Sequence, residues 1–187
     1  MARKKQYIEQ EVIEKAMALF WRNGYENTSV RMLEKEMGIN QFSIYASFGN
    51  KQGVFLESIK CYKKKIRKIT EILENSNKGV KAIQEYFYNF LEFSKDAALY
   101  KGCLVTNTIN ELKENSDPII MHELKKFSND IKQLFVRKLK QDDSIDKEMI
   151  NKKTDFLMNC LLGLSISSKV FNTKELKNIV EMTFLNF

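Results

Sequence analysis

Three side chains in succession, Gln41, Phe42 and Ser43, open the reading part of a short segment, GINQFSIYASFGNKQGVF, residues 38–55. Gln carries a donor and an acceptor spaced to match the edge of adenine, Ser serves as either, and an aromatic ring can meet a thymine methyl. Around them Thr28, Tyr45, Ser47 and Lys51 offer donors for phosphate oxygens, and a helix N-terminus adds its own affinity for anions. This is the chemistry of recognition. Bond-making chemistry has no comparable footing, because no Ser/His/Asp grouping, phosphate-binding loop or paired acidic motif is apparent. His122, the only histidine, reads as a surface residue, and Cys61, Cys103 and Cys160 lack the short spacings of zinc or redox motifs. A non-enzymatic protein without cofactor or metal, its thiols reduced, is expected.

Reading residues need elements to hold them. Ile8, Val12, Ala16, Leu19 and Phe20 follow helical spacing up to the stop signal Asn23-Gly24. Thr28 or Ser29 caps a second helix, in which Val30, Leu33 and Met37 share a face before Gly38 ends it. Asn40 caps a third, about two turns long, whose Ile44 and Phe48 point into the same small core. Such a helix is too short to be stable alone and must be held by its neighbours. From Asn50 a fourth pattern runs through Phe55, Ile59, Tyr62, Ile66, Ile69 and Leu73, a helix of roughly 30 Å or more that can connect two domains. Two short helices about a glycine-containing turn have the form of a helix-turn-helix, whose second helix enters the major groove.

Charge distribution agrees. Residues 1–70 hold 14 Lys and Arg against 7 Asp and Glu, and residues 71–187 hold 17 of each, so the whole net charge of +7 lies in the first third. A basic module joined to a neutral remainder suggests polyanion binding attached to another task. The arm Arg3-Lys4-Lys5 adds non-specific attraction to DNA. One proline, seven glycines and abundant Lys, Glu, Leu, Ile and Met predict an all-α chain. The N-terminus lacks an apolar signal core, and no apolar run approaches the roughly 20 residues of a membrane span. A cytoplasmic protein without membrane partner is expected.

The stretch TSVRMLEKEMGINQFSIYASFGNKQGVF resembles the DNA-binding signature of the TetR family of bacterial regulators, over about residues 8–60: a Thr-Ser cap, a helix, a Gly turn, a short helix with Ile-Tyr, then Phe, a turn and Lys. The resemblance implies phosphate contacts from Thr28, Tyr45 and Lys51, and base-edge contacts from Arg31 and from Gln41, Phe42 and Ser43. It also implies an N-terminal DNA-binding domain (1–50) joined by a long helix to a C-terminal helical domain (51–187) for ligand binding and dimerisation. Phe42 stands where many members have a small residue, Ala46 and Ser47 where they have aromatic residues or His, and Gly53 where they often have Glu.

The remainder predicts five further helices. Their inward stripes give Phe87, Phe90, Tyr100, Cys103, Asn107, Phe127 and Ile131 as the lining of a small-molecule pocket, with plain core packing as the alternative for each. Cys103 follows Gly102 and Lys101 at a helix start, where a thiolate is favoured, and KGCLVTN resembles members of the family that respond to electrophiles or oxidants. Asp117 caps a helix with Pro118 at its first position, and Thr173 caps the last helix. Leu157, Leu161, Gly163, Leu164, Ser167, Leu176, Val180, Thr183 and Phe187 form the expected dimer surface. The expected protein is a homodimeric transcriptional repressor on a palindromic double-stranded DNA operator, released by a small-molecule or electrophile effector. The rival is a basic helical protein–protein adaptor that does not bind DNA specifically.

Overall fold

The computed structural model describes residues 7–96, 102–112, 117–185 and 187. These residues form nine helices and no strand: α1 (Glu9–Asn23), α2 (Val30–Met37), α3 (Gln41–Phe48), α4 (Lys51–Asn75), α5 (Val80–Asp96), α6 (Leu104–Glu111), α7 (Pro118–Leu139), α8 (Met149–Ser167) and α9 (Thr173–Phe184). The N-terminal helices are a helix-turn-helix domain and the rest a helical C-terminal domain.

Local chemistry sets the boundaries. Ser29 accepts a hydrogen bond from the Met32 N–H at 3.2 Å, Asn40 from the Ser43 N–H at 2.9 Å, and Asn50 from the Gly53 N–H at 2.9 Å. Each satisfies an amide that the first helical turn leaves without an internal partner. Asp117 caps α7 through the Ile119 and Ile120 amides, with Pro118 at the first helical position. At the last helix the expected cap moves by one residue. Asn172, not Thr173, accepts from the Lys174 and Glu175 amides, and Glu175 reaches back to the Asn172 N–H at 2.8 Å. That reciprocal box stabilises the helix start more than a lone hydroxyl would.

Ala16, Phe20, Leu33, Met37, Ile44, Val54 and Phe55 close the core of the first four helices, all fully buried or nearly so. Gly38, at φ 70°, takes the left-handed turn between α2 and α3 that a side chain would resist. Gly53 serves a different need: a Cβ there would fall on the Phe48 carbonyl. The absence of a side chain lets the end of α3 sit against the first turn of α4.

Aromatic rings continue the core upward. Tyr62 of α4 meets Trp21 of α1 edge-on at 5.1 Å, and Phe93 of α5 and Phe127 of α7 at 5.9 Å each. Lys138 of α7 is buried with 3% exposure, and its ammonium donates to the carbonyls of Glu74 (2.8 Å) and Ser76 (2.5 Å) at the end of α4. Burial holds its pKa below the usual lysine value. The cation thus satisfies carbonyls that the last turn of α4 leaves open.

Candidate nucleic-acid interface and effector cavity

Of the eight residues of α3, only Ile44 is fully buried. Burying it contributes about 2–3 kcal/mol, and half-buried Phe48 and the Asn40 cap help hold the helix against the rest. The other positions are released for contact. Gln41, Phe42, Tyr45 and Ala46 are exposed, Phe42 at 81%, and Ser43, Ser47 and Phe48 are half-buried. The Phe42 ring makes little packing contribution to the core and stands free to meet a partner. The start of α3 is fixed by Glu34 of α2, whose carboxylate accepts the Gln41 N–H at 3.1 Å.

The surrounding donors are placed unequally. Arg31 is exposed on α2. Lys51 donates to the Tyr25 carbonyl at 3.1 Å and stands 4.3 Å from the centre of its ring. An ammonium has three donors, so this arrangement steadies Lys51 and leaves hydrogens for an anion. Thr28 is corrected: it is fully buried, and its hydroxyl donates to the Gly24 carbonyl at 2.6 Å. Its hydroxyl closes the α1–α2 turn and does not reach phosphate. Ser47 shares a 2.6 Å hydrogen bond with the hydroxyl of Tyr7, ahead of α1.

Below this face, the C-terminal helices enclose a cavity of about 30 Å³, the space of a single water molecule. Phe90, Cys103, Phe127 and Ile131 line it, together with Tyr86 and Ser165. Phe87 instead packs against Phe135 and Phe184, at 6.0 and 5.2 Å. It is corrected from pocket lining to core packing. Asn107 is half-buried on α6 outside this lining, and Tyr100 lies outside the described residues. The Tyr62 hydroxyl donates to the Cys103 sulfur at 3.1 Å, and the Ser165 hydroxyl accepts the Cys103 N–H at 2.9 Å. Burial beside Cys103 pushes the Tyr62 and Tyr86 phenols above the ordinary tyrosine range. Cys61 and Cys160 are likewise pushed up, chiefly by burial. His122 is exposed, and among the described residues no three His, Cys, Asp or Glu side chains are grouped to hold a metal.

The stripe of α8 and α9 named from the sequence is largely an inward one. Leu157, Leu161, Leu164, Leu176 and Val180 are buried within their own chain, so their place in a dimer surface is corrected. The same helices expose Phe156, Leu162, Ile166 and Met182, and the turns just beyond them Val170 and Leu185. Gly163 stands on this open side, with nothing within 4 Å of where its Cβ would be, while Ser167, Thr183 and Phe187 are half-buried. Two apolar stripes on one helix look alike in sequence, and only packing separates them.

Contacts between distant segments were missed altogether: Tyr7 with Ser47, Glu34 with Gln41, Gln52 with Asp117 at 2.6 Å, and Glu111 of α6 with the Glu26 N–H at 3.3 Å. No periodicity or cap signals them.

Residues 12–58 match the model of the tetR family of bacterial regulatory proteins. The chain is 30% identical over 112 residues to the uncharacterised HTH-type transcriptional regulator YezE of Bacillus subtilis, covering 59% of this chain and 58% of that one. It is 24% identical over 109 residues to IcaR of Staphylococcus aureus, the negative regulator of the biofilm operon icaADBC, covering 58% and 59%. The matches thus span less than two thirds of these relatives. Among solved structures, a cysteine mutant of the TetR-family regulator CifR, complexed with 26-bp operator DNA, superposes with TM-score 0.90 over 100% of both chains at 21% identity. The signature in the first four helices is thus that of the tetR family of bacterial regulatory proteins, and the chain shares the fold of solved TetR-family regulators along its whole length.

Proposed function

We propose that the protein is a sequence-specific DNA-binding transcriptional regulator that acts as a homodimer and releases its operator when a small molecule enters the C-terminal domain. The observation that carries this reading is α3, with one buried anchor and an outward Gln41, Phe42 and Tyr45. Gln41 to Ser43 read base edges, while Tyr45, Lys51 and Arg31 serve the backbone. Repression is the sign favoured by the relative IcaR, a negative regulator, and DNA as partner by the operator complex of CifR. Neither the chemistry of the cavity nor that of α3 calls for an enzyme.

The dimer forms on the exposed side of α8, α9 and the turns just beyond them, Phe156, Leu162, Ile166 and Val170 with Met182 and Leu185, where Gly163 permits close approach. A cavity the size of one water cannot hold an effector as it stands. The effector therefore selects an opened state of these helices, and it works only through its preference for that state over the DNA-binding one. An electrophile is one such effector, reaching Cys103 through the cavity.

Selection from random-sequence duplexes with the purified full chain tests the reading. One two-fold-symmetric site, with half-sites about 34–36 Å apart or a related multiple, is expected, bound with steep salt dependence. Weak binding to all sequences alike would favour the adaptor instead.

A further inference from the structure

A groove of about 970 Å³ lies among α1, α4 and α5, apart from the cavity beside Cys103. Its floor is apolar, made by Met17, Ala18 and Trp21 of α1 with Phe93 of α5, the indole and phenyl rings stacked at 5.9 Å. Its α4 wall is basic, with Lys64, Lys65 and Lys68 all exposed. The cations of α4 fall into two sets. Lys60, Lys63 and Arg67 pair with Glu57, Glu123 and Glu71 at 2.6, 3.3 and 2.5 Å, whereas Lys64, Lys65 and Lys68 make no ion pair among the described residues. At spacings of three and four along a helix, these like charges face one another and repel. The acids that line the groove are occupied: Glu36 of α2 pairs with Arg22 at 3.4 Å, Glu14 accepts from the Gln10 amide at 2.8 Å, and Glu11 is matched in charge by Lys15 on the same α1 wall. The α4 wall is left with a concentrated, uncompensated positive charge above a floor of rings.

We propose that this groove is a second small-molecule site, which binds an organic anion: a carboxylate carried on a flat aromatic body. The carboxylate lies against Lys64, Lys65 and Lys68, where its hydrogen bonds are charge-assisted, and the body packs on Trp21 and Phe93 in the offset or edge-on manner of aromatic pairs. The space suits such a molecule, since small-molecule sites occupy about 300–1,000 Å³ and the cavity beside Cys103 has room for one water. An occupant touches α1 of the DNA-binding domain and α4 and α5 together, so it can bias how these helices sit. Trp21 also meets Tyr62 at 5.1 Å, which connects the floor of the groove to Cys103. The site needs no opening of the C-terminal helices and does not depend on the effector reading above.

Trp21 is the only tryptophan, so its indole N–H gives a single signal in the nitrogen-labelled NMR spectrum of the full chain. Adding naphthoate should move that signal to saturation. Naphthalenemethanol, which has the same rings and no charge, should bind roughly 10-fold more weakly, the combined worth of three exposed ion pairs. The K64A/K65A/K68A variant should lose naphthoate affinity by a similar factor with unchanged circular dichroism, because these side chains are exposed and unpaired. The K81A/K125A/K126A variant removes the same charge from exposed positions elsewhere, and should bind as the wild type does. An indole signal that naphthoate leaves in place would overturn the site, as would naphthoate and naphthalenemethanol bound alike. So would a K64A/K65A/K68A variant that binds as the wild type does, which would put naphthoate elsewhere, or equal weakening in both triple variants. Binding is measured without DNA, so any of these failures leaves the DNA-binding reading intact.

Discussion

The Tyr62 hydroxyl donates to the sulfur of Cys103 at 3.1 Å, and the same ring meets Trp21 of α1 at 5.1 Å. One side chain of the connecting helix therefore touches both the cavity wall and the first helix of the DNA-binding domain. A ligand that enlarges the cavity must move Tyr62 or the groups around it, and Trp21 feels the shift through close-packed rings. Glu111 to the Glu26 N–H is a further link between the domains, and Gln52 to Asp117 ties the start of α4 to the start of α7.

The cysteine gives the first prediction. N-ethylmaleimide adds the Cys103 sulfur across its C=C bond, the thiol proton ending on carbon, and the adduct cannot fit in the space of one water. Treatment should release DNA from the wild type and not from Cys103→Ser, measured by fluorescence anisotropy. Equal release from both would end the role of this thiol. Tyr62→Phe, which removes the hydroxyl but keeps the ring, should leave DNA binding in place and change the rate of modification.

The buried phenols predict an alkaline limit to stability. Tyr62 and Tyr86 have folded-state pKa values above those in the unfolded chain, so the unfolded state loses protons first. Their contribution is complete below the ordinary tyrosine value of about 10 and declines as pH rises above it. Thermal melts followed by circular dichroism should show a falling midpoint above that pH, and Tyr86→Phe should shrink the fall. A midpoint independent of pH there would contradict the burial of these groups.

Gly53→Ala should destabilise the protein, although alanine is ordinarily the better helix former by about 1 kcal/mol. The added Cβ meets the Phe48 carbonyl, a backbone atom that moves only with the end of α3. A loss of about 1–3 kcal/mol is expected in urea denaturation, together with weaker DNA binding. A gain in stability would show that α3 and α4 sit farther apart.

On the C-terminal side, Ile166→Asp places a charge on the exposed stripe of α8 without disturbing Leu157, Leu161 or Leu164 beneath it. Sedimentation should show the wild type as a dimer and the variant as a monomer of unchanged helix content. Leu164→Asp, by contrast, should unfold the chain, since it buries an unpaired charge. A dimer in the Ile166→Asp variant would move the interface elsewhere.

Much of the fold was written in short-range signals. Asn40 and Asn50 cap the helices they precede, Pro118 opens α7, and the buried positions Leu33, Met37 and Ile44 follow helical spacing. Those features depend on neighbours within one turn, so sequence reports them directly. The site was legible in part. Gln41, Phe42 and Tyr45 stand exposed on α3, but Thr28 is turned inward by a bond to Gly24, and Phe87 is taken by core rings. Which stripe of α8 faces inward, and that Tyr7 meets Ser47, depend on segments far apart in the chain. Periodicity identifies apolar faces without saying what each one meets.

The most direct measurement of the central claim compares Gln41→Ala and Tyr45→Phe on the selected site and on every single-base variant of it. Gln41→Ala should abolish discrimination at one base pair per half-site, a loss of about 1–3 kcal/mol there, while leaving the other positions ranked as before. Tyr45→Phe should weaken binding to all the duplexes by nearly the same factor. A Gln41→Ala protein that loses the same affinity for every duplex would contradict the placing of α3 in the major groove.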